Sequence, residues 1–269
     1  STGLLATPVP WPTPTEQRRI ADFLDDRVAR IDQIMDSRRL QIALLKEERA
    51  AVSEDLVWRG LQTPEASIRV IEPAKASPVR WGSVPNRYLL RESATLSVDG
   101  SEELLSVSHL TGVTARAEKN VTMFMAQSLA GYKVVHPGEL VINTLWAWMG
   151  ALGVSEISGI VSPAYGVYQP LDTAAFYGPY YDALYRSSAY VCEMTRNSKG
   201  VWSSRLRLYP DTFLGLRSPH PAMAEQRRIY SEIEVRVGRN EGRAASIAKS
   251  VELLAEYKQS LITAAVTGG

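Results

Sequence analysis

The residues able to do chemistry are few and scattered. The three histidines, His109, His136 and His220, are far apart in sequence, and Cys192 is the one cysteine. No His-Glu-x-x-His pair, Gly-x-Ser-x-Gly elbow or glycine-rich phosphate loop occurs. The paired acids Glu102-Glu103 and Asp25-Asp26 lack a nucleophile or base at a workable spacing, and the second pair reads as a solvated helix face. A single cysteine excludes an intrachain disulfide and a cysteine zinc cage, and suits a reducing compartment. The pattern predicts a binder and scaffold, not an enzyme, and no cofactor or metal of its own.

Charge points to what is bound. The formal net charge is only +1, so any nucleic-acid contact must be local. Between Arg186 and Arg207 lie five basic residues (Arg186, Arg196, Lys199, Arg205, Arg207) against one acid, Glu193. Thr195-Arg196-Asn197-Ser198-Lys199-Gly200 has the composition of an exposed, donor-rich loop. Such side chains suit phosphate contacts and base edges, arginine toward guanine and asparagine toward adenine. Arg116, Lys119 and Asn120 form a weaker second cluster. The predicted DNA-binding set is therefore Arg196, Asn197, Lys199, Arg205, Arg207, Arg116 and Lys119, with Asn143 and Trp146 added from the amides and aromatics of the middle segment. A solvated basic loop without a ligand would have the same composition. Most of the aromatics Trp146, Trp148, Tyr165, Tyr168, Tyr177, Tyr180, Tyr181, Tyr185, Tyr190 and Trp202 are expected in the core.

The elements that position these residues are announced by a repeat. Glu16-Gln17-Arg18-Arg19-Ile20 recurs as Glu225-Gln226-Arg227-Arg228-Ile229, an offset of 209 that holds without a gap to the end of the chain. Pro10 and Pro12 meet Pro219 and Pro221, Leu44-Leu45 meets Leu253-Leu254, and Val57 meets Val266. A repeat is one structural unit used twice. In the first copy, apolar or aliphatic-stemmed residues fall at Ile20, Leu24, Val28, Ile31, Met35, Arg38, Ile42, Leu45, Arg49, Val52 and Leu56, in alternating steps of three and four. That is a coiled-coil seam. The second copy runs Ile229, Ile233, Val237, Asn240, Ala244, Ile247, Val251, Leu254, Lys258, Leu261 and Ala265, interrupted by Asn240 and Lys258. Thr13, Pro14 and Glu16 make a capping box with proline at the first helical position. Ala222 stands where the second copy would cap, and Gly60 and Gly268-Gly269 read as stops.

Between the copies, residues 62–79 hold several prolines and read as a linker. Beyond Trp81 come short β-like runs at 88–90, 104–107, 132–135, 140–143, 159–161 and 166–168, punctuated by Asp99-Gly100, Pro137-Gly138 and Ser162-Pro163. Residues 173–195 carry Ala and Tyr at helical spacing. The expected fold is α+β: one domain with a mixed, largely antiparallel sheet, flanked by two long helices pairing as an antiparallel coiled coil. The expected divisions are 1–12 as a lead or the edge of a preceding domain, 13–61 and 220–269 as the helices, and 62–219 as the domain. A composition of 45% hydrophobic and 22% charged residues fits a folded chain. No apolar run is long enough to span a bilayer and no signal peptide is evident, so no membrane partner and a cytoplasmic location are expected. A chain opening on Ser1 reads as a trimmed start or as part of something longer.

The helix motifs resemble a known family. Pro10-Trp11-Pro12, Glu16 through Asp25, Arg30-Ile31-Asp32, Leu44 through Arg49 and Tyr257 through Gly268 are similar to the specificity (S) subunit of type I restriction-modification systems. The middle segment resembles one of its target recognition domains in Leu105-Ser106-Val107-Ser108, Pro137 through Asn143, Gly150-Ala151-Leu152-Gly153 and Gly159 through Tyr165. The resemblance implies a non-catalytic subunit whose recognition domain reads half of a bipartite site in double-stranded DNA. Its helices would space two such domains and dock methyltransferase (M) subunits, and indirectly the restriction (R) subunit. S-adenosylmethionine and ATP would belong to those partners. The family carries two recognition domains and this chain one, so residues 1–12 resemble the closing edge of another, and a half-length subunit working by self-pairing is the alternative to a fragment. From a different class, a coiled-coil interaction protein whose middle domain binds a protein partner would also fit the spacing.

Overall fold

The computed structural model describes residues 12–61, 68–71, 75–78, 81–118, 128–202 and 205–267. The chain divides into two compact units, one drawn from Ser1–Arg49 with Arg236–Gly269 and the other Ala50–Val235. The division runs through both long helices, α1 (Pro14–Arg59) and one ending the chain (Met223–Thr267), so each contributes its domain-proximal end to the second unit.

The first unit is a helix pair. Thr13 and Glu16 close the expected box: the Thr13 amide donates to Glu16 Oε2 at 2.8 Å and the Glu16 amide to Thr13 Oγ1 at 3.4 Å. The Thr13 bonds hold the Glu16 carboxyl below the usual glutamate value. Two cross-helix ion pairs set direction and register. Lys258 meets Asp32 at 2.7 Å and Arg49 meets Glu241 at 2.6 Å. Moving 17 residues up the first helix, from Asp32 to Arg49, moves 17 residues down the other, from Lys258 to Glu241, so the helices are antiparallel. The two ion pairs also exchange under the 209-residue offset, since Asp32 maps to Glu241 and Arg49 to Lys258. The pair therefore has an internal two-fold relation. Burial follows the seam: Ile31 and Met35 are buried, while Ile20, Leu24, Val28, Ile42 and Leu45 are half-buried among exposed neighbours. On the opposing helix Val237, Val251, Leu254 and Leu261 are half-buried, and Asn240 is buried.

The second unit is built on short strands. In chain order these are β1 (Ile68–Ile71), β2 (Lys75–Pro78), β3 (Gly82–Pro85), β4 (Leu90–Glu92), β5 (Leu105–Ser108), β6 (Gly112–Ala115), β7 (Lys133–Val135), β8 (Leu140–Ile142), β9 (Leu152–Val154), β10 (Gly159–Val161) and β11 (Gly166–Pro170). Then come α2 (Gly178–Tyr185), α3 (Ser188–Asn197), α4 (Pro210–Gly215), β12 (Arg217–His220) and the long α5 (Met223–Thr267). The central sheet runs β4-β11-β8-β9, and β1-β2, β3-β12, β5-β6 and β7-β10 form two-stranded pairs. These pairs are antiparallel, and an isolated bridge from Leu104 to Ile160 is parallel. Strand β8 lies between two others and is buried at every residue, as its unbroken apolar run requires.

Two cores follow. One is aliphatic, with Leu105, Val107, Val135, Val141, Val161 and Val167, against which Val113 and Tyr165 pack. The other is aromatic and polar, centred on buried Asn86. Its Nδ2 donates to Tyr190 Oη (2.8 Å) and the Phe213 carbonyl (2.9 Å), and its Oδ1 accepts from Tyr185 Oη (3.1 Å) and Ser218 Oγ (2.6 Å). A buried amide with all four valences met is stabilising, whereas an unmet one would cost about 1–3 kcal/mol. Burial raises the Tyr180, Tyr185 and Tyr190 phenols above their ordinary value and keeps them neutral donors.

Four local expectations are corrected. Residues 86–88 form a 3-10 turn and the strand begins at Leu90, because Asn86 turns inward to serve that network. The segment 62–79 is not only linker, since it carries the paired strands β1 and β2. The helical stretch 173–195 is two helices, broken where Ser187 accepts a capping bond from the Tyr190 amide. The second long helix, expected from residue 220, starts at Met223, and residues 217–220 form β12 on β3. Among the described residues no helix is long and apolar enough to cross a membrane.

Candidate nucleic-acid interface

The basic segment divides into a helix end and a pinned loop. Arg196 and Asn197 lie in the last turn of α3, not in a loop. Glu193 of the same helix engages both: Arg196 Nη1 at 3.0 Å and Asn197 Nδ2 at 2.8 Å. Their donors are partly spent, so these two are weaker candidates than the composition indicated. Beyond α3, Lys199 and Arg207 exchange two backbone hydrogen bonds, 3.0 and 2.9 Å, closing a narrow stem. Gly200 is required there, because a Cβ would stand 2.5 Å from the Arg205 carbonyl oxygen. The Arg205 amide bonds the Trp202 carbonyl at 2.8 Å, and the Trp202 ring is 67% exposed. Lys199, Arg205 and Arg207 have no ion pair among the described residues. The Arg207 guanidinium lies 5.8 Å over the Tyr209 ring.

This loop joins a second feature. The Leu208 amide donates to the Thr144 carbonyl at 3.0 Å, which fastens the Lys199–Arg207 stem to the turn after β8. That turn displays Trp146, half-exposed. Asn143 departs from expectation. It is 8% exposed, its Nδ2 donates to Tyr165 Oη at 3.1 Å and its Oδ1 accepts from the Leu145 amide at 3.3 Å. Asn143 shapes the turn and orients a tyrosine, with its oxygen and one amide hydrogen engaged within the chain. Arg116 acts on the same tyrosine, its positive charge partly offsetting the burial that raises the Tyr165 phenol. Lys119 and Asn120 lie outside the described residues.

Around these groups sits a cleft of about 250 Å³, lined by Glu92, Lys133, Thr144, Tyr165, Arg207 and Tyr209 among others. Lys133 pairs with Glu92 at 3.2 Å across β7 and β4. Sequence reading missed Lys133, Glu92, Tyr165 and Tyr209 as site residues. Only Tyr165 stood in a motif, and the others are joined by sheet pairing that spacing does not reveal. The cleft brings Arg207 together with Lys133, Tyr165 and Tyr209; Lys199 is tied to Arg207 through the stem, and Arg196 and Asn197 end α3 engaged by Glu193. A larger cleft of about 620 Å³ is lined by β6 and α2, where half-buried Asp182 accepts from the Val154 amide at 2.9 Å and Arg186 donates to the His109 and Leu110 carbonyls. Those bonds fasten the β5-β6 hairpin and β9 to α2.

The seam residues divide between the units. Ile20, Leu24, Val28, Ile31, Ile42, Leu45, Val237, Val251, Leu254 and Leu261 belong to the helix pair, whereas buried Ile229 and Ile233 belong to the unit Ala50–Val235. Beside them Gln226, fully buried, donates to the Ala175 and Pro221 carbonyls (2.9 and 2.8 Å) and accepts from the Tyr177 amide (2.8 Å).

A domain of short antiparallel strands, entered and left by two long helices that pair antiparallel, defines the fold of type I specificity subunits, and solved structures agree. A chain from work on complex assembly and conformational transition of the type I R-M system matches 97% of this chain with a TM-score of 0.64 at 18% identity. The HsdS subunit from Thermoanaerobacter tengcongensis matches 97% with a TM-score of 0.52 at 14% identity. The specificity-subunit resemblance is borne out in the fold. This chain spans 61% and 60% of those two chains. No family model matches the sequence, and no curated protein matches it.

Proposed function

We propose that this chain is the DNA-recognition part of a type I restriction-modification specificity subunit. Its unit Ala50–Val235 reads one half of a bipartite site in double-stranded DNA, and the helix pair fixes the spacing to a second half. Methyl transfer and ATP-driven steps belong to partner subunits. The observation that carries this reading is the pinned loop: three cations without ion pairs among the described residues, Lys199, Arg205 and Arg207, beside the exposed aromatics Trp146, Trp202 and Tyr209. Unpaired cations among aromatic faces suit a polyanion whose bases can be touched in the groove. Ile34, Leu44, Leu253 and Tyr257 stay exposed on the helix pair, which supports docking of methyltransferase subunits there.

The repeat supports a second recognition domain. Gln17 donates to the Pro12 carbonyl at 2.9 Å, as Gln226 does to Pro221 at 2.8 Å, but Gln17 is exposed where Gln226 is buried in a domain. A notch lined by Pro12, Ile20, Phe23 and Ala265 together with Glu16 and Arg19 lies at the start of α1. It suits a domain contributed by a longer form of this chain or by a second copy.

The test is co-expression with the cognate methyltransferase, followed by sequencing host DNA for methylated adenine. An inverted repeat across a spacer assigns self-pairing, and an asymmetric motif seen only with a longer chain assigns the two-domain form. Methylation that ignores sequence would sink the reading. In duplex binding, the triple variant K199A/R205A/R207A should lower the slope of log K against log salt by about 0.9 for each phosphate that is no longer neutralised.

A further inference from the structure

The small cleft beside the loop has a chemistry of its own. We propose that it is a seat for one DNA phosphodiester, with the Tyr165 hydroxyl as a donor whose polarity Asn143 fixes. This rests on the recognition reading above and names one interaction within it.

Asn143 is anchored at both ends. Because its Oδ1 is held by the Leu145 amide, its Nδ2 faces Tyr165 and donates to the phenol oxygen. A phenol that receives a hydrogen bond on oxygen keeps its own hydrogen to give elsewhere. Tyr165 gives it to no acceptor among the described residues. Its ring packs on the aliphatic core, so the hydroxyl is held in place at the cleft. Burial raises the phenol and keeps the proton on it.

The rest of the cleft sets the ligand class. Arg207 brings a charge with no ion pair among the described residues, and Lys133 brings one balanced by Glu92. Net positive charge, three kinds of donor and a sole carboxylate already engaged select a group that is anionic and accepts at more than one point. A phosphodiester does both. In the major groove adenine offers a donor beside its acceptor, cytosine a donor and thymine a single acceptor; guanine alone accepts at two points, N7 and O6. The guanine edge is the rival source of the same acceptor chemistry.

The test uses the chain co-purified with its methyltransferase and two fluorescein-labelled duplexes, one carrying the mapped site and one with its bases scrambled. Y165F keeps the ring in the core and removes the donor. N143D keeps the Leu145 bond but accepts the phenol hydrogen, which turns a lone pair of Tyr165 toward the cleft. Each should weaken binding about fivefold to tenfold on both duplexes; Y165F, which changes no charge, should leave the salt slope unchanged, whereas N143D also adds an anion and should lower it. R207A should lower the slope by about 0.9. Unfolding curves should place Y165F beside the parent, which separates removal of the donor from damage to the fold. Parent-like binding by both Y165F and N143D overturns the proposal, and so does a weakening confined to the site duplex, which assigns a base edge. A parent complex that binds neither duplex removes the recognition reading itself.

Discussion

The two copies of the repeat have the same sequence signature and different surroundings. In the first, Glu16 turns back on Thr13 and completes a capping box, and Gln17 is exposed with one bond to Pro12. In the second, Ala222 replaces the threonine, Glu225 accepts instead from the Trp81 indole at 2.9 Å, and Gln226 is buried with three partners. Ile20 is half-buried and Ile229 wholly so. The same five residues start a helix both times. At the first site the helix end satisfies itself, and at the second the domain satisfies it. The energy of the motif is therefore set by burial and not by its letters.

The largest effect that tests this is at the glutamine. Q226A leaves the Tyr177 amide and two carbonyls unpaired in a dry site, and should cost about 2–4 kcal/mol in urea unfolding. Q17A removes one exposed bond and should stay within about 0.5 kcal/mol. Equal costs would break the comparison, because they would mean Gln17 is as enclosed as Gln226.

The caps come next. T13A should cost about 0.5–2 kcal/mol, read as faster amide exchange in the first turn of α1. Installing the missing hydroxyl in the second copy, A222S, should gain less than about 0.5 kcal/mol, because Glu225 is held by Trp81 and cannot close the box. The first cap is also sensitive to acid. Its Glu16 carboxyl is held below the ordinary value, so its contribution is present above that value and is lost as pH falls through the lowered one. Protection of the first turn of α1 should fade in acid, and the T13A variant should show little further change.

What could be read in the sequence follows the same division between local and tertiary causes. The seam was legible because steps of three and four impose one stripe wherever the helix sits, and the burial of Ile31, Met35 and their successors follows it. The Thr13 box was legible because its partners are three residues apart. Asn86 was not, since its four partners come from residues 185, 190, 213 and 218. The surroundings of Asn143 were hidden for a related reason: an amide near aromatics has the composition of a base reader, and its bonds to Leu145 and Tyr165 appear only in the fold. Arg196 and Asn197 looked like loop residues because Ser, Lys and Gly follow them. Their place on α3 depends on Glu193 one turn earlier and on burial of Tyr190 and Met194. Cations could be counted from the sequence, but whether each was neutralised could not.

The smallest effect is the sharpest test of the internal two-fold. The pairs Lys258–Asp32 and Arg49–Glu241 are images of one another under the repeat, but their side chains differ in exposure, 29% and 46% against 52% and 59%. Exposed ion pairs contribute about 0.2–1 kcal/mol, and salt screens the wetter ones more. Double-mutant cycles built from D32N and K258M, and from E241Q and R49M, should both give favourable coupling within that range. The Lys258–Asp32 cycle should be the larger and should keep more of its coupling at high salt. Coupling in one cycle and none in the other would mean that the helix pair is not symmetric in solution, and the two-fold placement of a second domain would lose its footing. Equal couplings with equal salt sensitivity would keep the symmetry but show that the difference in burial does not persist in solution.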